Sequence, residues 1–202
     1  MDITEQTLLY YDQNANRFME DTIDVDFSAI REQFLNYVPQ YGTILDLGCG
    51  SGRDSRAFLQ QGYHVIAVDG SKELCKAASK YINQPVICSL FQEYVPEEQL
   101  DGIWACASLV HLNKADIIET VLKLSAFLRP EGCFYMSFKY GNSEGFRDGK
   151  YYTDFTEQGI QELLEQIPEL NFQKLWTTHD ARADNETKWL NILCIAKKKF
   201  NL

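Results

Sequence analysis

The stretch Ile44-Leu45-Asp46-Leu47-Gly48-Cys49-Gly50-Ser51-Gly52-Arg53-Asp54-Ser55 constrains the fold more than any other part of the chain. Its β-prone apolar residues Ile44, Leu45 and Leu47 read as a buried strand. Gly48, Gly50 and Gly52 then allow a tight turn and leave room for a ligand at a helix N-terminus. A second apolar run, His64-Val65-Ile66-Ala67-Val68-Asp69, ends on an acid fifteen residues after Asp54. Strand, glycine turn, helix, strand and terminal acid form half of a nucleotide-binding α/β fold. The acid is placed to accept hydrogen bonds from ribose hydroxyls.

The remaining sequence continues the alternation. Helices are expected over 3–20 and 26–38, the second capped by Asp26 and stopped before Pro39. Strands follow near 43–47, 64–69, 85–88, 101–106 and 133–139, with helices near 53–61, 72–81 and 115–127 and at most a short one near 92–98. Arg129-Pro130-Glu131-Gly132 reads as a turn before the fifth strand. A helix over 157–166 precedes strands near 171–178 and 189–197, joined by a loop too short for a helix and so paired antiparallel. The pattern predicts an α/β, Rossmann-like, doubly wound sheet of seven mostly parallel strands, with an antiparallel last strand and helices on both faces.

Bulk properties narrow the function. The 202 residues suit one domain with a sizeable core, at 45% apolar and 24% charged content. The net charge of −10 argues against a nucleic acid partner and for a small molecule or a basic protein. The basic run Lys197-Lys198-Lys199 reads as a solvated strand end. Six scattered cysteines without a C-x-x-C pair read as reduced thiols, and three histidines without ligand spacing predict no metal. A polar, acidic N-terminus and the absence of a long apolar run predict a cytoplasmic protein without a membrane span, monomeric or homodimeric.

The glycine turn itself separates two ligand classes. In a nicotinamide G-x-G-x-x-G fingerprint the third glycine would stand where Arg53 is. Asp46 would repel a pyrophosphate but attract an ammonium or sulfonium group. The run from Ile44 to Ser55 closely resembles motif I of class I S-adenosylmethionine-dependent methyltransferases, and Val65 to Ser71 resembles the motif that follows it. The overall pattern is similar to small bacterial methyltransferase-domain proteins, including tellurite-resistance-like members with a G-C-G-x-G-R turn. The resemblance implies S-adenosylmethionine as cofactor and S-adenosylhomocysteine as product. It assigns Gly48, Gly50 and Gly52 to admit the cofactor, Asp46 to orient its amino acid end and Asp69 to hold the ribose, with Cys49, Gly70 and Ser71 also at the cofactor. Arg53 would reach the carboxylate or serve the surface at the helix start. Leu90 and Phe91 would cradle the adenine, with Phe91 equally suited to the core, and the backbone of Cys106 and Ala107 would pass beneath the methionine part. It also divides the domain into an N-terminal helical lid (1–40), a cofactor-binding core (41–140), and a substrate loop with the C-terminal hairpin (141–202). Tyr11 is the lid residue expected at the cofactor, with Tyr10 and Phe18 as neighbours.

The acceptor is less constrained. Ala105-Cys106-Ala107-Ser108 replaces the Asn/Asp-Pro-Pro-Tyr/Phe motif of exocyclic base methylation, and no Pro-Cys dipeptide exists for cytosine chemistry. A general base is needed only where the acceptor loses a proton, and His111 is best placed for it, its other reading being a satisfied helix-start histidine. Lys139, Tyr140, Arg147, Tyr151, His179 and Arg182 predict a basic, aromatic pocket for an anionic or carboxylate-bearing small molecule. Alternatively these charges pair with Asp148, Asp154, Asp180 and Asp184 and brace the loops. The rival readings are a non-catalytic S-adenosylmethionine-binding sensor, a protein or tRNA methyltransferase, and an NAD-dependent oxidoreductase weakened by the shifted glycine and Asp46.

Overall fold

Strand β1 (Thr43–Leu47) is buried at every position, as its near-continuous apolar run requires of a strand covered on both faces. The computed structural model describes residues 2–182 and 186–197, so Asp184, Lys198 and Lys199 lie outside the described residues. Around β1 the chain forms α1 (Ile3–Thr22), α2 (Ser28–Leu35), α3 (Arg53–Gln60), β2 (His64–Asp69), α4 (Lys72–Ile82), β3 (Ile87–Cys88) and β4 (Leu100–Ala105). A 3-10 turn (Leu109–His111) leads to α5 (Lys114–Ser125) and β5 (Leu128–Lys139). The chain continues through β6 (Glu144–Arg147), β7 (Lys150–Thr153), α6 (Glu157–Leu164), β8 (Leu170–His179) and β9 (Lys188–Ala196).

The main sheet has seven strands in the order β3-β2-β1-β4-β5-β9-β8. The β1, β2, β3, β4 and β5 pairings are parallel, and β9 runs antiparallel to both of its neighbours. This is the doubly wound, seven-stranded sheet the alternation predicts. Strand order reverses between β1 and β4, which opens a crevice beyond their C-terminal ends.

Two apolar layers hold the sheet. On one face Phe34 of α2 and Phe58 of α3 pack on Trp104, whose ring stacks 4.1 Å from Tyr135. Gly102 makes this approach fit, since a Cβ there would fall 2.5 Å from Phe34 Cζ. On the other face Val121 and Leu124 of α5 and Ile160 and Leu163 of α6 cover Ile103, Phe134 and Met136. Helix α1 begins with an Asp2–Glu5 capping box and kinks at Asn14 (φ −114°, ψ 15°). Asn14 Nδ2 donates to the Tyr10 carbonyl at 2.8 Å and so occupies an acceptor near the kink.

Several element boundaries differ from the sequence reading. Phe27, not Asp26, precedes the first turn of α2, because the Asp26 carboxylate accepts from the Ser28 amide one step too early to cap it. Helix α2 ends at Leu35, β3 is only two residues long, and 92–98 holds turns rather than a helix. The Arg129–Gly132 segment lies within β5 as an irregularity with Glu131 at φ 68°, where the register with β4 shifts between Leu100 and Gly102. The segment after β5 contains an unforeseen hairpin, β6 and β7, turning at Asp148 (φ 50°) and Gly149 (φ 80°).

Replacing Phe34 by alanine is expected to remove about 3 kcal/mol of stability, because the ring is fully buried between Gly102, Phe58 and Trp104. Urea unfolding checks this, and a loss well under 1 kcal/mol would mean that the layer closes over the gap.

Candidate active site

A cavity of about 460 Å³ lies at the C-terminal ends of β1, β2, β4 and β5. Helix α1 lies along it through Thr7, Leu8, Tyr11, Asn14 and Phe18. Asp12 on the same helix accepts from the Ser71 hydroxyl and the Glu73 amide, which fixes α1 to the positive start of α4. The Tyr151 amide donates to Thr7 Oγ1 at 3.1 Å and joins α1 to β7 on the other side.

The glycine turn forms one end. Gly48 and Cys49 both donate to the Val68 carbonyl, at 2.8 and 3.0 Å, which pins the turn to β2. Gly48 stands at φ 80°, and a Cβ there would meet Ser108 Cβ at 2.4 Å, so no other residue fits. Phe91 packs against the same glycine. Asp69 accepts from the Gly50 amide through one oxygen and from the Ser71 amide through the other, both at 2.9 Å. Burial raises its pKa, and the amides of Ser71, Gly50 and Gly70 oppose that rise.

Two further acids are buried beside the turn. Asp46 accepts from the Ser55 hydroxyl at 2.6 Å, and burial together with the Asp54 charge pushes it up to about 7. Burial also pushes Asp54 upward, but the guanidinium groups of Arg53 and Arg31 overcome it and hold the carboxyl below its ordinary value. Arg53 donates to Asp54 through Nε and Nη2, Arg31 through Nη1, and Trp104 through its indole N–H. The Arg53 guanidinium also lies 3.7 Å over the Phe27 ring. Cys106 is pushed up to about 12 by burial and by Asp54, so at neutral pH it is a thiol and no nucleophile.

The other end is built around His111. Its Nδ1 lies 2.7 Å from the Tyr151 carbonyl, and its Nε2 lies 2.7 Å from the Tyr11 hydroxyl. A carbonyl only accepts, so Nδ1 carries the proton and Nε2 takes the hydrogen bond from Tyr11. Burial, helped by Lys150 and Lys139, pulls His111 down to about 4, which leaves the ring neutral at pH 7. Lys139 Nζ stands 3.8 Å over the Tyr152 ring, and Lys150 Nζ stands 3.7 Å over Tyr10. Arg182 forms two bonds to Asp180, which also accepts from the Trp189 indole.

Of the residues singled out from sequence, Tyr11, Asp46, Gly48, Cys49, Gly50, Arg53, Asp69, Gly70, Leu90, Phe91, Cys106, Ala107, His111, Lys139, His179 and Arg182 line this one cavity. The structure places five others elsewhere. Gly52 meets Ile82 of α4, and Ser71 caps that helix by accepting from the Leu74 amide. Tyr140 turns outward to Glu157, Arg147 is bound by both oxygens of Asp154, and the Tyr151 hydroxyl donates to Glu144. For Arg147 and Arg182 the bracing alternative therefore applies. The sequence reading did not select Lys150 and Tyr152, which line the cavity. Asp148-Gly149 between aromatic runs signals a two-residue hairpin, and strand alternation then puts 150 and 152 on one face, opposite 151.

Comparison with known proteins agrees with this geometry. Residues 44–132 match the model of the methyltransferase domain family. A Bacillus subtilis (strain 168) protein with a provisional methyltransferase name, YqeM, is 32% identical over 126 residues, 56% of this chain and 50% of that relative. The chain thus spans half the length of that relative. An uncharacterized methyltransferase of Geobacillus kaustophilus (strain HTA426) is 25% identical over 188 residues, 91% of this chain and 84% of the relative. Among solved structures, Burkholderia thailandensis 1,6-didemethyltoxoflavin-N1-methyltransferase, with bound 1,6-didemethyltoxoflavin and S-adenosylhomocysteine, superposes with a TM-score of 0.72 at 22% identity. That alignment covers 98% of this chain and 92% of the other.

The buried acid makes a pH test available. Asp46 sits near 7 in the fold against 3.8 ordinarily, so between those values the native state keeps a proton that the unfolded state releases. Its contribution to stability therefore declines as pH rises through that window. Asp46→Asn has no proton to lose, so urea unfolding should show it gaining on the parent protein from pH 4 to pH 8, to a degree set by the shift from 3.8 to about 7. A pH-independent difference would show that Asp46 ionises normally.

Proposed function

We propose that this chain, which has the fold of class I methyltransferases, moves a methyl group from S-adenosylmethionine to a small-molecule acceptor, leaving S-adenosylhomocysteine. One observation carries the reading. The glycine turn, Asp46 and Asp69 line one cavity at the switch point of the sheet.

The side chains fit that cofactor. Asp69 keeps lone pairs beyond its two amide bonds to accept from ribose hydroxyls. The amino acid end of the cofactor carries both charges, and the cavity offers both complements, Asp46 for an ammonium and Arg53 for a carboxylate. Arg53 uses Nε and Nη2 on Asp54, which orients the guanidinium. Leu90 and Phe91 supply an apolar wall for the adenine. The same buried acids make a pyrophosphate ligand unfavourable.

When bound, the cofactor supplies a methyl group on a sulfonium, already a good leaving group. The protein has to align the acceptor and exclude water. Helix α1 serves as the lid, with Tyr11 at the junction of the cofactor and acceptor ends. We assign the acceptor as an anion. In support, Lys139 and Lys150 line the cavity and form no ion pair within 4 Å of a carboxylate among the described residues, while Arg182 and His179 stand at the same end. His111 is the candidate base. All six cysteines are free thiols, which supports a reducing cytoplasmic setting. Among the described residues no helix is long and apolar enough to cross a membrane.

Titration calorimetry with S-adenosylmethionine, S-adenosylhomocysteine and NADH tests the assignment. Both sulfur ligands should bind with micromolar affinity and NADH should not. Asp69→Ala should weaken binding about tenfold or more, as loss of a charged hydrogen-bonding group does. Binding of NADH alone would sink the proposal.

A further inference from the structure

At the acceptor end, a potential base and a lysine that forms no ion pair among the described residues both stand against one aromatic ring. The His111 and Tyr152 ring centroids are 4.9 Å apart, and Lys139 Nζ lies 3.8 Å over the same tyrosine. Lys150 Nζ lies 6.0 Å from that ring as well as 3.7 Å over Tyr10. Neighbouring Arg147 and Arg182 are already committed to Asp154 and Asp180 through two bonds each. The two lysines instead rest on tyrosine faces, contacts weaker than a charge-assisted bond to a carboxylate, so an incoming carboxylate can draw them over.

The proton-accepting groups of the cavity can be sorted in the same way. Asp46, Asp54, Asp69 and Asp180 all accept from donors fixed in the protein, and Asp21 pairs with Arg17 on α1. His179 is exposed. His111 differs, because the tautomer is set from behind by the Tyr151 carbonyl and its Nε2 faces a hydroxyl donor, Tyr11, on the helix that lines the cavity. An acceptor hydroxyl can take over the bond that Tyr11 now makes, with no change of tautomer.

We propose that the acceptor is a hydroxylated aromatic carboxylate, held by Lys139 and Lys150 at its carboxylate and directed by its hydroxyl to His111 Nε2. This rests on the methyl-transfer reading above and names its substrate class. The flat walls of Tyr10, Tyr11, Tyr152 and Trp189 suit an aromatic body, and the base and Lys139 share the Tyr152 ring as a neighbour. In the reaction the acceptor oxygen bonds to the methyl carbon. The carbon–sulfur bond breaks and leaves its electron pair on sulfur. The hydroxyl proton passes to His111 Nε2 and then to water. The oxygen never carries a full negative charge, because the new bond consumes it, so a weakly basic neutral imidazole suffices. Lys139 on β5 and Lys150 on β7 face the imidazolium and favour its prompt deprotonation.

The test uses 2-, 3- and 4-hydroxybenzoate, benzoate and phenol as probes on the full chain. Binding is read by calorimetry with S-adenosylhomocysteine present, and turnover by S-adenosylhomocysteine release from S-adenosylmethionine. At least one hydroxybenzoate isomer should bind and turn over, benzoate should bind without turnover, and phenol should bind about tenfold or more weakly than its acid counterpart. Lys139→Met with Lys150→Met should weaken benzoate binding about tenfold while the S-adenosylmethionine titration is unchanged. His111→Gln should retain benzoate binding, lose about a hundredfold in turnover and lose the acid limb of the pH profile. If S-adenosylmethionine binds but benzoate and every hydroxybenzoate fail to, this inference is overturned and methyl transfer stands. If the acids turn over equally well in His111→Gln, the role of His111 is wrong. If S-adenosylmethionine does not bind, the reading beneath falls, and this one with it.

Discussion

Asp46, Asp54 and Asp69 are buried close together around one glycine turn, and most of the surrounding structure answers their mutual repulsion. Each is accommodated differently. Asp54 is neutralised by Arg31 and Arg53 and steadied by the Trp104 indole, which ties α2, α3 and β4 together. Asp69 is met by backbone amides of the two turns that follow β1 and β2. Asp46 accepts from the Ser55 hydroxyl and feels the Arg53 charge, yet burial and Asp54 leave it close to its protonation point. A buried carboxylate so weakly compensated is stabilised by a cation arriving from outside the fold.

The acceptor end follows the opposite logic. Positive charge gathers there on a chain that is acidic as a whole. Two arginines are closed off by aspartates, and two lysines rest on tyrosine rings. The cavity therefore runs from a carboxylate-rich end to a lysine-rich one, and a ligand pair with a cation at one end and an anion at the other matches both. Helix α1 spans the two, bonded through Asp12 to the start of α4 and through Tyr11 and Thr7 to the His111–Tyr151 region.

Much of this was legible in the chain because it depends on near neighbours. The Ile44–Leu47 run, the glycine turn and Asp69 announce a strand, a ligand-binding turn and a strand-end acid through spacing alone. What escaped was the hairpin at Asp148-Gly149, whose turn chemistry is local and readable. Without the hairpin, Tyr151 and Tyr152 cannot be told apart, and it is Tyr151 whose hydroxyl donates to Glu144. Tyr140 and Arg147 have the right chemistry for a binding pocket, but a nearby acid claimed each of them first.

By itself, then, the sequence determined the order of strands and helices, the glycine turn and the acids at the strand ends. These rest on backbone preference and apolar periodicity, which act over a few residues. The tertiary structure alone decided the tautomer of His111, set by a carbonyl forty residues away and a hydroxyl a hundred residues away. It also decided which cations are closed off by aspartates and how far Asp46 is driven from its ordinary pKa. Those properties depend on burial and on partners brought together by the sheet, and spacing along a chain does not encode a partner's distance through space.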